Sequence, residues 1–235
     1  MYPRDRASVR LYKAGAYTAV LFLVYLVATL LIFALIGEGY PETAAECFTM
    51  LNENKFIGLL RLDIVSVVVI PFYYILFFSL YHALKRNNEL IAKIALFSIL
   101  AGVTLFISGL NIVEILTLSD KYHAASSPEM KQQLLAAGES MLASDMWIST
   151  SAKIRGIMIE FGAVVLSLLM LRSGSFYKIT GLIGLLAHSF DLLSEILSIF
   201  IPAIKDIFTM AAGPLYLFWF VLIALGLFKL SNATE

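Results

Sequence analysis

Residues 14–36 carry no charged side chain, and the same holds for 64–84 and 207–228. A helix needs about 20 apolar residues to cross the ~30 Å hydrocarbon core of a bilayer. Inside that core every backbone N–H and C=O has to be satisfied within the segment itself. Runs of this length therefore direct the chain into membrane-spanning helices. Composition agrees: 60% of the residues are hydrophobic, 14% are charged and the mean hydropathy is +0.87. A soluble domain of 235 residues has no means of covering so much apolar surface.

Residues 94–113 give a fourth uncharged run, stopping at Glu114. Two further segments are apolar but interrupted, the first by Glu160 and the second by His188, Asp191 and Glu195. The expected fold is an all-α, polytopic bundle of six transmembrane helices in one membrane domain spanning 1–235. The spans are expected at about 14–36, 62–84, 92–117, 152–171, 177–203 and 207–229, with loop helices at about 41–54 and 128–144. The second loop helix opens on Ser127 as N-cap with Pro128 at the first helical position. Its apolar residues Met130, Leu134, Met141 and Leu142 share a face suited to the membrane interface or to covering the bundle end. Met146 and Trp147 read as interfacial anchors of the fourth span.

Orientation follows from the basic residues. Arg4, Arg6, Arg10, Lys13, Lys85, Arg86, Lys93, Arg172, Lys178 and Lys229 fall on one side, whereas the other side collects Glu38, Glu42, Glu46, Glu53 and Asp120. Cytoplasmic loops are enriched in Lys and Arg, so both termini are expected in the cytoplasm and the protein in the cytoplasmic membrane as a multi-pass chain. Lys+Arg and Asp+Glu balance at 17 each, and no basic surface for nucleic acid is expected. The single cysteine, Cys47, makes neither an internal disulfide nor a thiolate metal site. The expected partners are membrane lipids and a small solute or ion, with self-association left open.

Acids within a spanning helix cost about 2.5–3.5 kcal/mol each on insertion scales, so they face protein or water and seek partners. Asp63, Glu114, Glu160, Asp191 and Glu195 qualify, and helix arithmetic puts all five in the outer half of the bilayer. Gly184, His188, Asp191, Glu195 and Ser198 recur in steps of three and four, one helical stripe. Thr104, Ser108, Asn111 and Glu114 form another, and Gly156, Glu160, Ala163 and Ser167 a third. Pro71 and Pro214 each free a backbone carbonyl, near Val67 and Met210, at a similar depth.

These stripes define a candidate cation or proton site of His188, Asp191, Glu195, Glu160 and Glu114, with Asp63, Asn111, Ser108 and Ser198 as further polar lining. One imidazole with several carboxylates suits a divalent metal ion as cofactor, and equally suits protons or a salt-bridge network. The inner half offers only scattered groups such as Thr180, Ser167 and His82, so a pocket open to the outer side is expected rather than a continuous polar pore. Three readings stay open: cation- or proton-coupled transport of a small solute, a metal-dependent intramembrane hydrolase acting on lipid, and a non-catalytic membrane subunit or sensor.

Several stretches resemble a family of six-helix membrane proteins classed as domain of unknown function 4386. They are Lys13-Ala-Gly-Ala-Tyr17, residues 56–63 ending in Arg61-Leu62-Asp63, Leu80-Tyr-His-Ala-Leu84, and residues 178–184 leading to Asp191. The resemblance implies the six-helix fold and brings no activity with it. A fainter similarity runs to membrane hydrolases of the alkaline ceramidase type, but the paired histidines of that group are missing around His188.

Overall fold

The computed structural model describes residues 6–36, 40–144 and 149–232. Arg4, Glu38, Met146 and Trp147 lie outside the described residues. Eleven α-helices and no strand are found among those described. Six segments are long and apolar enough to cross a membrane: α1 (Arg6–Ile36), α4 and α5 (Ile64–Val69 and Tyr73–Leu84), the stretch Glu89–Ala124 that opens with α6 (Glu89–Ser108), α9 (Thr150–Arg172), α10 (Lys178–Leu197) and α11 (Ile204–Asn232). Between α4 and α5 a 3-10 turn, Ile70–Phe72, carries Pro71. The missing N–H of proline makes that tightening cheap and keeps the two pieces one span. Pro214 is absorbed within α11.

Four shorter helices gather at one end: α2 (Ala44–Glu53), α3 (Lys55–Arg61), α7 (Ile112–Ala124) and α8 (Pro128–Ala143). They form a cap with its own core of Cys47, Phe48, Leu51, Leu62, Ile112, Ile115 and Leu142. Three of the four start on an N-cap whose side chain accepts a hydrogen bond: Thr43 from Glu46 N–H, Asn54 from Ile57 N–H and Ser127 from Met130 N–H. Glu139 of α8 accepts from the first N–H of α2, that of Ala44, at 2.8 Å. Gly138 beside it lets α8 approach Ala44 and the Phe48 ring. So α8 packs onto α2 and α7 rather than lying alone on the bilayer surface. The remaining ends, those of Arg10, Lys85, Arg172 and Lys229, form the basic end of the bundle.

The third span departs from the sequence expectation. α6 stops at Ser108 with Gly109 as its C-cap, and α7 starts afresh at Ile112. Glu114 consequently belongs to the cap, where it is exposed beside Thr117 and Met141. Asn111 donates to the carbonyl of Met141 at 2.9 Å.

The tightest packing is of α9 against α6 and α10. Gly102 and Gly162 provide it on the α6 side. A Cβ at Gly102 would lie 2.9 Å from the Arg155 carbonyl, and one at Gly162 would lie 2.6 Å from that of Ala95. Small residues at such contacts let backbones close in, which is the main source of association energy between helices in lipid. Ser98 seals the seam by donating to the Met158 carbonyl at 2.7 Å.

Candidate functional site

Halfway along α9 and α10, four side chains from three helices share one hydrogen-bond network. Glu160 sits at the middle of Thr150–Arg172, and His188 near the middle of Lys178–Leu197. His188 Nδ1 meets Glu160 Oε2 at 2.7 Å. Asp191, one turn further along α10, accepts from the hydroxyl of Tyr216 at 2.7 Å. The same hydroxyl lies 3.2 Å from Glu160 Oε2 and 3.3 Å from His188 Nδ1. The ring of Trp219 stands edge-on to the imidazole at 4.6 Å. Tyr216 and Trp219 lie three residues apart on α11, two and five residues after Pro214.

Tyr216 is thus the hub. A phenol carries one proton and can donate to one carboxylate at a time, and the shorter distance assigns that donation to Asp191. Glu160 is left with His188, which binds it through an Nδ1–H. Among the described residues no group of three or more His, Cys, Asp or Glu side chains is arranged to hold a metal ion.

The other sequence candidates are distributed elsewhere. Glu195 lies at the capped end of α10 and pairs with Lys153 at 3.0 Å, while Ser198 accepts from the same ammonium at 2.8 Å. Gly156 makes room for this pair, since a Cβ there would lie 2.7 Å from Glu195 Cγ. Asp63 caps α4 in the left-handed conformation, φ 57°, and accepts from the Tyr25 hydroxyl at 2.6 Å. Ser108 is exposed and donates to the Leu105 carbonyl within its own turn. Val67 and Met210, whose carbonyls the prolines free, both lie on exposed surface. Only Glu160, His188 and Asp191 of the five candidate ligands come together, at mid-span; Asp63 and Glu195 sit near the cap.

The other two histidines are accounted for structurally. His82 meets the Tyr12 hydroxyl at 3.3 Å near the basic end, and His123 contacts the Phe48 carbonyl at 3.1 Å within the cap.

One cavity adjoins the network and a second adjoins the first. A chamber of about 170 Å³ has Glu160, His188, Asp191 and Tyr216 on its wall, and Phe22, Tyr25, Tyr73 and Phe77 opposite. A larger vestibule of about 800 Å³ lies toward the cap, lined by Tyr25, Thr29, Arg61, Asp63, Leu142 and Lys205 among others. Tyr25 and Leu26 belong to both walls, so the phenol held by Asp63 stands between vestibule and chamber.

Electrostatically the network is short of positive charge. It holds two carboxylates and one imidazole, and its hydrogen bonds run among its own members. The cations on α9 are engaged elsewhere, Lys153 with Glu195 and Arg155 over the Phe106 ring at 3.6 Å. Even with His188 as imidazolium, two ionised carboxylates would leave one negative charge in a low-dielectric interior.

The Lys153–Glu195 pair is by contrast self-balanced and has a structural use. Its side chains are 18% and 27% exposed, so water screens it only in part. Lys153→Met is expected to destabilise the bundle by roughly 1–3 kcal/mol, because it strands the carboxylate. Lys153→Met/Glu195→Gln recovers most of that loss. Thermal unfolding of the single and double variants in detergent checks this; equal losses in both would contradict it.

The fold and network define a class: a six-helix multi-pass membrane protein with a buried acid–imidazole–phenol cluster at the centre of the bundle. The chain belongs to the family described as domain of unknown function 4386, whose model matches residues 14–229. No curated protein and no solved structure matches it.

Proposed function

We propose that this protein exchanges protons for a small organic cation across the membrane, using the Glu160–His188–Asp191–Tyr216 cluster as the shared binding site. The observation that carries the reading is the unbalanced charge on the wall of an aromatic-lined chamber. Two carboxylates with one imidazole need one further positive charge, and either a proton or a monovalent cation supplies it. Only one of the two is needed at a time, so each displaces the other. The aromatic faces of Tyr73, Phe77 and Tyr25 suit an alkylammonium, whose charge is attracted by ring quadrupoles. A strongly hydrated metal ion, which prefers a shell of oxygen ligands, suits such walls less. The chamber volume limits the solute to a few heavy atoms. With the basic end placed in the cytoplasm, the vestibule is the outer approach and Tyr25 stands at its inner wall.

Exchange is favoured over metal-dependent lipid hydrolysis because, among the described residues, no three His, Cys, Asp or Glu side chains are arranged to hold the ion that hydrolysis would use. The test uses tetramethylammonium as probe. Calorimetric titration of the purified protein in weakly buffered detergent is expected to show binding that strengthens as pH rises, with about one proton released for each cation bound, from the charge balance. Absence of binding, or binding without proton release, would overturn it.

A further inference from the structure

Four polar side-chain atoms, one of them on the cluster's own His188, have no protein hydrogen-bond partner although their residues are almost wholly buried: Ser167 Oγ, Thr180 Oγ1, His188 Nε2 and Trp219 Nε1. Their residues are 0–3% exposed. Buried polar groups in native proteins nearly always have a partner, and leaving one unmade costs about 1–3 kcal/mol. Hydroxyls on α1, α5 and α6 obey that rule by donating to the carbonyl four residues back, as Thr18, Ser79 and Thr104 do. Ser167 does not, although its helix offers the same carbonyl.

The four atoms are not scattered. Thr180, Gly184 and His188 follow at intervals of four on α10 and share one face, advancing about 6 Å per step. Gly184 lets α9 and α11 close onto that face: a Cβ built there would clash with Trp219 Nε1 and lie 2.7 Å from Ser167 Oγ, so the indole and the hydroxyl themselves fill the space over it. The indole and hydroxyl of two different helices thus meet at Gly184, between His188 and Thr180. From that point the line continues to Thr180, in the first turn of α10 at the basic end.

We infer that a file of buried water molecules runs between α9, α10 and α11 from His188 Nε2, past Trp219 and Ser167, to Thr180 at the basic end. Buried waters characteristically bridge polar groups that lack protein partners, taking two to four hydrogen bonds each. The inference deepens the exchange reading and rests on it for the use of the path: it gives the cluster a proton route on the side opposite the vestibule. The chemistry of each member fits its place. Ser and Thr hydroxyls both donate and accept, so they pass a proton along. Trp219 Nε1 only donates, and serves to anchor a water. His188 has two nitrogens: a neutral ring that takes a proton on Nε2, while its Nδ1–H stays on Glu160, becomes the imidazolium of the charge count, so one proton passes from the file into the cluster. The charged and titratable groups facing it are Glu160 from α9, Asp191 on α10 itself, Tyr216 from α11, and across the chamber Tyr25 and Tyr73.

Hydroxyl-radical footprinting read by mass spectrometry tests the file, because radicals generated from water label side chains that touch it. Trp219 is expected to be oxidised in the wild type despite its burial, with severalfold less label in Ser167→Ala/Thr180→Val. In proteoliposomes, infrared spectroscopy after a pH jump on the basic side is expected to show the cluster's carboxyl band relaxing severalfold more slowly in that variant, with its final amplitude unchanged. A wild-type Trp219 as unreactive as the buried Phe220 would overturn the file, whatever the variants do. Normal labelling with an unchanged relaxation rate would overturn its use as a proton route. A carboxyl band that never responds to pH would instead fail the exchange reading, and the Trp219 label alone would then decide whether the water is there.

Discussion

Glu160→Gln is expected to weaken tetramethylammonium binding by roughly tenfold to hundredfold and to end the accompanying proton release. The magnitude follows from the ~1.5–3 kcal/mol carried by a hydrogen bond or contact to a charged group. The loss of coupling follows from charge. Glutamine keeps the shape beside His188 Nδ1, which lies 2.7 Å from Glu160 Oε2 in the native cluster. With one carboxylate left, an imidazolium alone balances Asp191, and neither a further proton nor an organic cation is called for. Tyr216→Phe makes the informative contrast. It removes the hub hydroxyl that serves Asp191 at 2.7 Å and leaves the count of charges intact. It should lower stability by about 1–3 kcal/mol through the unsatisfied acceptor, while proton release on binding persists. Calorimetry with both variants, beside their unfolding temperatures, separates the two effects. If Tyr216→Phe abolished coupling and Glu160→Gln spared it, charge balance would not be what the site uses.

How far the sequence reveals such a site depends on what each residue type signals alone. An acid or histidine in an apolar run is conspicuous because burying it is costly, and the three-and-four spacing of His188 and Asp191 places them on one face without any structure. Those features carry the six spans and the centre of the cluster. Tyr216 gives no such signal, since a tyrosine in an apolar helix normally reads as a packing or interfacial residue. Its role is visible only once α11 is seen to cross α10 at the level of Asp191. The opposite failure occurs at Glu114. An uncharged run continues unbroken over 94–113, and hydropathy says nothing about a helix ending inside it. Gly109 as C-cap ends α6 there, which turns the next helix into the cap and takes Glu114 with it. Cys47 shows the same limit: it is wholly buried in the cap core, a role that counting cysteines does not disclose. Ser167 and Thr180 look like scattered hydroxyls in the sequence, and gain meaning only from Gly184 and from the indole that fills the space over it.

Gly162→Leu is expected to be the most damaging single substitution for folding, removing roughly 3 kcal/mol or more, the upper range for overpacking a well-filled interface. Gly162 and Gly102 are reciprocal. The first accommodates Ile99 and the Ala95 carbonyl of α6, the second Ile159 and the Arg155 carbonyl of α9. At Gly162 even a single methyl would come 2.5 Å from Ile99 Cγ1 and 2.6 Å from a backbone oxygen, closer than rotamer changes relieve. The helices must therefore move apart. Separation would also stretch the Ser98 bond to the Met158 carbonyl, now 2.7 Å, and shift Glu160, two residues before Gly162. The cluster should lose tetramethylammonium binding although none of its members is altered. Trimming the neighbour, in Gly162→Ala/Ile99→Ala, removes one of the two clashes and leaves the carbonyl contact, so it should restore only part of the stability. Thermal unfolding and probe binding measured on the same preparations decide the matter. Full rescue by Ile99→Ala would mean that side-chain crowding alone holds α6 and α9 at their spacing, and that the backbone approach through Gly162 is not what fixes Glu160 in place.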